Sequence, residues 1–187
     1  MRRDIRTYHD TNVTVSVLSF APAQEDHGRS LVCRADNPRV PDAVIEDKWI
    51  LDVHYVPVVS LKLGANLDAA NIKEGDDVYF ECSVDANPKV HRIAWYKESQ
   101  EIYHNSSAGI LLSEQSLVLQ RVSRTAAGEY SCLAHNQEGT ASSPTVSLVV
   151  TYAPICATPT SEASVGLSPR GLAARCRVDA SPAPSSW

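Results

Sequence analysis

Between Val58 and Thr151, apolar and polar residues alternate in short runs broken by Gly, Pro, Asn and Ser, and no stretch keeps a helical period. Val78, Phe80, Cys82 and Val84 interleave with Tyr79, Glu81, Ser83 and Asp85, which places the first set, cysteine included, on one face of a strand. The pattern recurs in Ile93 and Trp95, in Leu117 and Leu119, in Tyr130, Cys132 and Ala134, and in Val146, Leu148 and Val150. Each group predicts a strand with one buried face, and together they predict an all-β domain. Asp85-Ala86-Asn87-Pro88 predicts a turn, and Asn136-Gln137-Glu138-Gly139 predicts a hairpin turn with Gly139 in the left-handed position.

Within this pattern Cys82 is followed thirteen residues later by Trp95 and then by Gly128-Glu129-Tyr130-Ser131-Cys132. That order, with a Tyr two residues before the second Cys, predicts an immunoglobulin-like β-sandwich of the I-set or C2 type. The residue types have separate physical tasks. Cys82 and Cys132 would staple the facing sheets, Trp95 would fill the core against the sulfurs, and Tyr130 would bury its ring while its hydroxyl bonds backbone. All four hold a fold and perform no chemistry.

The same unit is legible on both sides. Cys176-Arg177-Val178-Asp179-Ala180-Ser181-Pro182 copies Cys82-Ser83-Val84-Asp85-Ala86-Asn87-Pro88 at a distance of ninety-four residues, and Trp187 follows where Trp95 followed. Upstream, Leu18 and Phe20 alternate before Asp26-His27-Gly28 and Leu31-Val32-Cys33, as do the late strands and second cysteine of such a domain. The expected organisation is one complete sandwich and two truncated ones: residues 1–56 as the trailing part of a domain, 57–152 as a whole domain, and 153–187 as the leading part of a third. Cys33 and Cys176 are then halves of bridges whose partners lie outside this sequence. Tyr55-Val56-Pro57 and Tyr152-Ala153-Pro154 mark matching junctions without a Gly/Ser-rich spacer. Proline fixes φ and biases the preceding residue toward extended geometry, so the domains should join end to end with little freedom.

Composition narrows the function. Charged residues make up 21 % of the chain, the formal net charge is -5, and Lys and Arg form no run, so a nucleic-acid partner is not expected. The five cysteines are widely spaced, with no Cys-x-x-Cys and no His pair at metal-ligand spacing, and neither a metal nor a cofactor is expected. Isolated cysteines suit disulfides in an oxidising compartment. Asn12-Val13-Thr14 and Asn105-Ser106-Ser107 fit the glycan acceptor pattern, Asn105 in a polar loop and Asn12 beside the Val13 and Val15 alternation. The start Met-Arg-Arg-Asp-Ile-Arg lacks the apolar stretch of a secretory signal, and no segment supplies the roughly 18 apolar residues of a membrane span. Any membrane attachment is therefore expected through a segment outside this sequence. His9, His27, His54, His91, His104 and His135 are dispersed, and no nucleophile, metalloprotease or phosphate-loop pattern appears, so no catalytic residue is expected. A binding protein fits better than an enzyme, although the same domains also build matrix rods and the ectodomains of receptor kinases and phosphatases.

Longer phrases are more specific. Cys33-Arg34-Ala35-Asp36-Asn37-Pro38, the run DANPKVHRIAWYK over 85–97, the run AGILLSEQSLVLQRVSRTAAGEYSCLAHNQEGTASS over 108–143 and VTYAPIC over 150–156 resemble the Sidestep family of arthropod cell-surface receptors across nearly the whole chain. Nephrin-like adhesion receptors share the DANP turn and the Tyr-Ala-Pro junction. The Sidestep resemblance implies a single-pass type I plasma-membrane protein. Its extracellular domains would bind immunoglobulin-superfamily partners of the Beaten path type, in axon guidance and synaptic partner recognition. Two positions depart from the usual pattern: Ala126 stands where an Asp usually precedes the Gly-x-Tyr-x-Cys run, and Leu31 replaces the Tyr before Cys33. Cys156 lies outside the staple, and an extra bridge within the third domain, a bridge to another chain and a free buried thiol are all open to it. The resemblance, in which a cysteine recurs after this junction, implies the intradomain bridge.

Overall fold

The computed structural model describes residues 4–40, 43–156, 166–168, 171–173 and 178–183. Strands dominate, as the alternation predicts. Two antiparallel hairpins come first, β1 (Asp4–Asp10) with β2 (Val13–Ser19), and β3 (Ser30–Asp36) with β4 (Val44–Ile50). A 3-10 turn over Gln24–Asp26 lies between them.

A sandwich follows. One sheet runs in the order β5 (Tyr55–Leu63), β6 (Val78–Asn87), β10 (Ser116–Leu119), β9 (Ile110–Leu112). The other runs β12 (Thr140–Ser142), β11 (Gly128–His135), β7 (Arg92–Lys97), β8 (Gln100–Ile102), with β13 (Val146–Leu148) also on β11. This is an immunoglobulin-like β-sandwich. Beyond it β14 (Tyr152–Cys156) pairs with β17 (Val178–Ser181), and β15 (Gly166–Ser168) with β16 (Gly171–Ala173).

The period-two positions meet in the middle of this sandwich. Val78, Phe80 and Cys82 of β6 face Trp95 of β7 and Tyr130, Cys132 and Ala134 of β11, and Leu117, Leu148 and Val150 close the same buried cluster. Tyr130 is paired with Lys97 and Cys132 with Trp95, a register that puts the sulfur and the indole on neighbouring strands. The strand that leaves β12 is interrupted at Ser143-Pro144 before β13. Buried Ser143 keeps the ladder satisfied there: its N–H donates to the Cys132 carbonyl at 2.8 Å, and its hydroxyl accepts from the Cys132 N–H at 3.1 Å.

The turn at Asn136–Gly139 joins β11 to β12 as a hairpin, and Gly139 takes a positive φ of +153°, as predicted. A Cβ at Gly139 would lie 3.2 Å from Val56. The reversal is made by the Asn136 side chain, whose Oδ1 accepts from the N–H of Glu138 at 2.9 Å and of Gly139 at 3.1 Å.

Candidate functional site

Cys82 and Cys132 are joined, with an S–S separation of 2.15 Å and Cα atoms 6.3 Å apart. Their strands lie in opposite sheets, so the bond crosses the core. Trp95 is buried beside them, and its indole N–H has no hydrogen-bond partner among the described residues. Tyr130 stacks on Phe80 with ring centroids 4.8 Å apart, and its hydroxyl donates to the Ala126 carbonyl at 2.6 Å. Burial pushes the Tyr130 phenol up to about 12. Ala126, which lacks the usual acid, serves the turn through its backbone: its carbonyl takes the Tyr130 hydroxyl and its N–H donates to Ser123 at 2.8 Å. The earlier 3-10 turn keeps the acid instead. Asp26 is buried and its carboxylate accepts from the Ala23 N–H at 2.9 Å, while Leu31 offers no hydroxyl to complete the corner.

The remaining cysteines lie elsewhere. Cys33, opposite Asp47 in the β3–β4 hairpin, is an exposed free thiol. Cys156 ends β14 opposite Val178 and is also free and exposed among the described residues, whereas Cys176 and Trp187 lie outside them.

Both glycan acceptor candidates are at the surface. Asn12 sits in the two-residue turn between β1 and β2. Asn105 lies in the polar loop that follows the short strand β8. It caps a 3-10 turn over Ser106–Ala108, its Oδ1 accepting from the Ala108 N–H at 3.1 Å and the Ser107 hydroxyl at 2.7 Å. Neither bond uses Nδ2, the atom to which a glycan would be joined.

The structure brings together polar residues that the sequence scatters. His27 and His54, twenty-seven positions apart, both approach Asp52: His27 Nδ1 is 3.6 Å from Oδ1, and His54 Nε2 is 3.4 Å from Oδ2. His54 Nδ1 lies 3.4 Å from Glu138 Oε1. The Asn87 amide donates to Asp52 Oδ1 at 2.7 Å and to the Val53 carbonyl at 2.8 Å. The Asn87 bond to Oδ1, with the two histidines, holds the Asp52 carboxyl below its usual range. Buried Asn136 donates to the carbonyls of Tyr55 at 2.8 Å and Pro88 at 3.0 Å. Here the link between the leading hairpins and the sandwich is fastened by Asn87, at the end of β6, and by the Asn136 turn. The turn expected over Asp85–Pro88 is strand as far as Asn87, held in pairing with β5, and the chain bends only at Pro88. Neither signal in the sequence told that these side chains bond the link. The rings of His91, just before β7, and His135, at the end of β11, have centroids 6.2 Å apart, and among the described residues no group of three or more His, Cys, Asp or Glu is placed to hold a metal.

Residues 57–136 match the family model described as Immunoglobulin domain. The B-cell receptor CD22 of Mus musculus is 30 % identical over 148 residues, covering 75 % of this chain and 16 % of that protein. Cell adhesion molecule 4 of Homo sapiens is 26 % identical over 125 residues, covering 66 % of this chain and 30 % of that protein. The full ectodomain of mouse nectin-like molecule 4 has the same fold, with a TM-score of 0.61 at 23 % identity over 80 % of this chain and 50 % of that one. The chain thus matches less than a third of the length of either relative.

Proposed function

Starting from an immunoglobulin domain over residues 57–136, we propose that the chain is an extracellular stretch of a cell-surface recognition and adhesion receptor that works by binding protein. The observation that supports it most is a disulfide-stapled sandwich, flanked by strands of the same grammar, in a chain similar over 75 % of its length to a receptor and over 66 % to an adhesion molecule. The bond implies an oxidising compartment. Residues 1–56 are the trailing part of one domain, 57–152 a complete domain and 153–187 the leading part of a third, so Cys33 and Cys176 belong to staples completed outside this sequence. Among the described residues no helix is long and apolar enough to cross a membrane, and attachment falls to a segment elsewhere.

Within that class the CRADNP start, the 108–143 run and the Tyr-Ala-Pro-x-Cys junction favour a Sidestep-like receptor at the plasma membrane, with a Beaten path type ligand. The test is a panel of immunoglobulin-superfamily ectodomains, Beaten path type proteins included, presented to the secreted parent on a sensor surface. Saturable binding to the Beaten path type group is the expected result. Binding only to itself or to nephrin-like ectodomains sinks the finer reading, and binding to none of the panel sinks both. The same secreted material should carry a glycosidase-sensitive mass at Asn105.

A further inference from the structure

The two junctions of the chain are built alike. Tyr55 pairs with Asn87 and Val58 with Asp85, with a register break between them. Ninety-seven residues on, Tyr152 pairs with Ser181 and Ile155 with Asp179, with the same break. In each case two residues on one strand, Val56-Pro57 or Ala153-Pro154, oppose one on the other, Ala86 or Ala180, and the proline of Tyr-x-Pro falls inside the break, where a missing N–H costs no ladder bond. Such a bulge re-aims the side chains beside it. Each tyrosine is set diagonally across from an aspartate and bonds it: Tyr55 donates to Asp85 Oδ1 at 2.7 Å, and Tyr152 to Asp179 Oδ1 at 2.9 Å.

Each Tyr–Asp pair then receives the first residue of the preceding 3-10 turn. Gln24 opens the turn Gln24–Asp26, and its Nε2 donates to Asp85 Oδ2 at 2.6 Å, the carboxylate oxygen that Tyr55 leaves free. Arg124 opens the turn Arg124–Ala126, and its guanidinium lies 4.1 Å from the centre of the Tyr152 ring, where Asp179 also acts on its charge. Glu74 steadies that arginine from its own sandwich through two side-chain bonds, at 3.0 and 2.9 Å. One position of the turn, occupied by two different side chains, thus reaches the same pair twice.

We propose that this Tyr–Asp pair is a docking socket at the leading end of each domain, which seats the first residue of the preceding 3-10 turn and fixes the angle between neighbours. The socket rests on contacts at the two junctions, and it stands or falls independently of which ligand the receptor binds. The bond from Tyr55 to Asp85, with burial and the aspartate charge, raises the Tyr55 phenol, and the same causes act from Asp179 on Tyr152, so each phenol reports whether its socket is formed.

The experiment is residual dipolar coupling of the 187-residue chain, which compares the orientation of residues 24–50 with that of the sandwich over 55–150. In the native chain both segments should fit one alignment tensor. Gln24→Glu sets a carboxylate against Asp85 and should separate the tensors, residues 24–50 then fitting a tensor of different orientation and smaller magnitude than the sandwich. Adding Asp85→Asn supplies a donor for the new acid and an acceptor for Tyr55, and should restore the single tensor. Gln24 contributes nothing to the sandwich core, so unchanged sandwich amide shifts confirm that the fold survives each variant. Two tensors in the native chain, one tensor in Gln24→Glu, or a separation that Asp85→Asn does not reverse would each overturn the socket.

Discussion

The sandwich and the leading hairpins use the same alternating strands and come to opposite ends. Val78, Phe80 and Leu117 are withdrawn from water altogether, whereas Ile5, Ile45 and Ile50 are 66, 75 and 71 % exposed. The difference lies in what faces each strand. In the sandwich every inward row meets a row from the other sheet, and the Cys82–Cys132 bond joins the two. Among the described residues the hairpins β1–β2 and β3–β4 are separate two-stranded sheets, and Cys33 has no partner. A two-stranded sheet offers apolar residues a face but no interior, so alternation becomes stability only when a second layer covers it.

Removing the staple should separate the two regions most. Cys82→Ala with Cys132→Ala frees a loop of 50 residues, and the chain-entropy relation puts the loss at about 4 kcal/mol. Cys33→Ala should leave the same denaturant midpoint unchanged. Truncation in the core comes next: Leu117→Ala should cost about 3 kcal/mol, whereas Ile45→Ala, a surface change in this chain, should stay within about 0.5 kcal/mol. Equal losses in urea titrations would erase the distinction between covered and uncovered faces.

A smaller effect is expected at Tyr130. Tyr130→Phe keeps the ring against Phe80 but removes the bond to Ala126, at about 1 kcal/mol. With its folded pKa raised to about 12 from an ordinary 10, native Tyr130 keeps a proton that the unfolded chain releases. Its contribution is therefore complete below pH 10 and lost as the pH rises toward about 12, a decline that Tyr130→Phe should flatten. The smallest effect belongs to Glu74, whose carboxyl the hydrogen bonds from Arg124 hold below the usual range. That contribution is present above the ordinary carboxylate range and disappears as the pH falls through the lowered value. The pair is partly open to water, so Glu74→Gln should shift the melting temperature only slightly, and salt should mask the shift.

The strand faces, the staple pair and the Trp and Tyr of the core were legible in the sequence because each depends on local period and on residue types with few alternative uses. Ala126 and Asp26 were legible as residue types, but how each serves its turn was not. One turn is held through backbone and the other through a buried carboxylate. Asn136 carried a turn signal and no more, since its bonds to Tyr55 and Pro88 span 81 and 48 residues.

What the sequence determined by itself was the set of apolar faces and the repeat that carries them, since side-chain alternation is a property of the strand and needs no partner to be read. Only the tertiary structure decided which faces are covered, that His27 and His54 share Asp52, and that Tyr55 and Tyr152 meet Asp85 and Asp179. Those outcomes depend on register breaks and on loops closing over tens of residues, and a charge or a hydroxyl in a sequence carries no record of what the fold will place beside it.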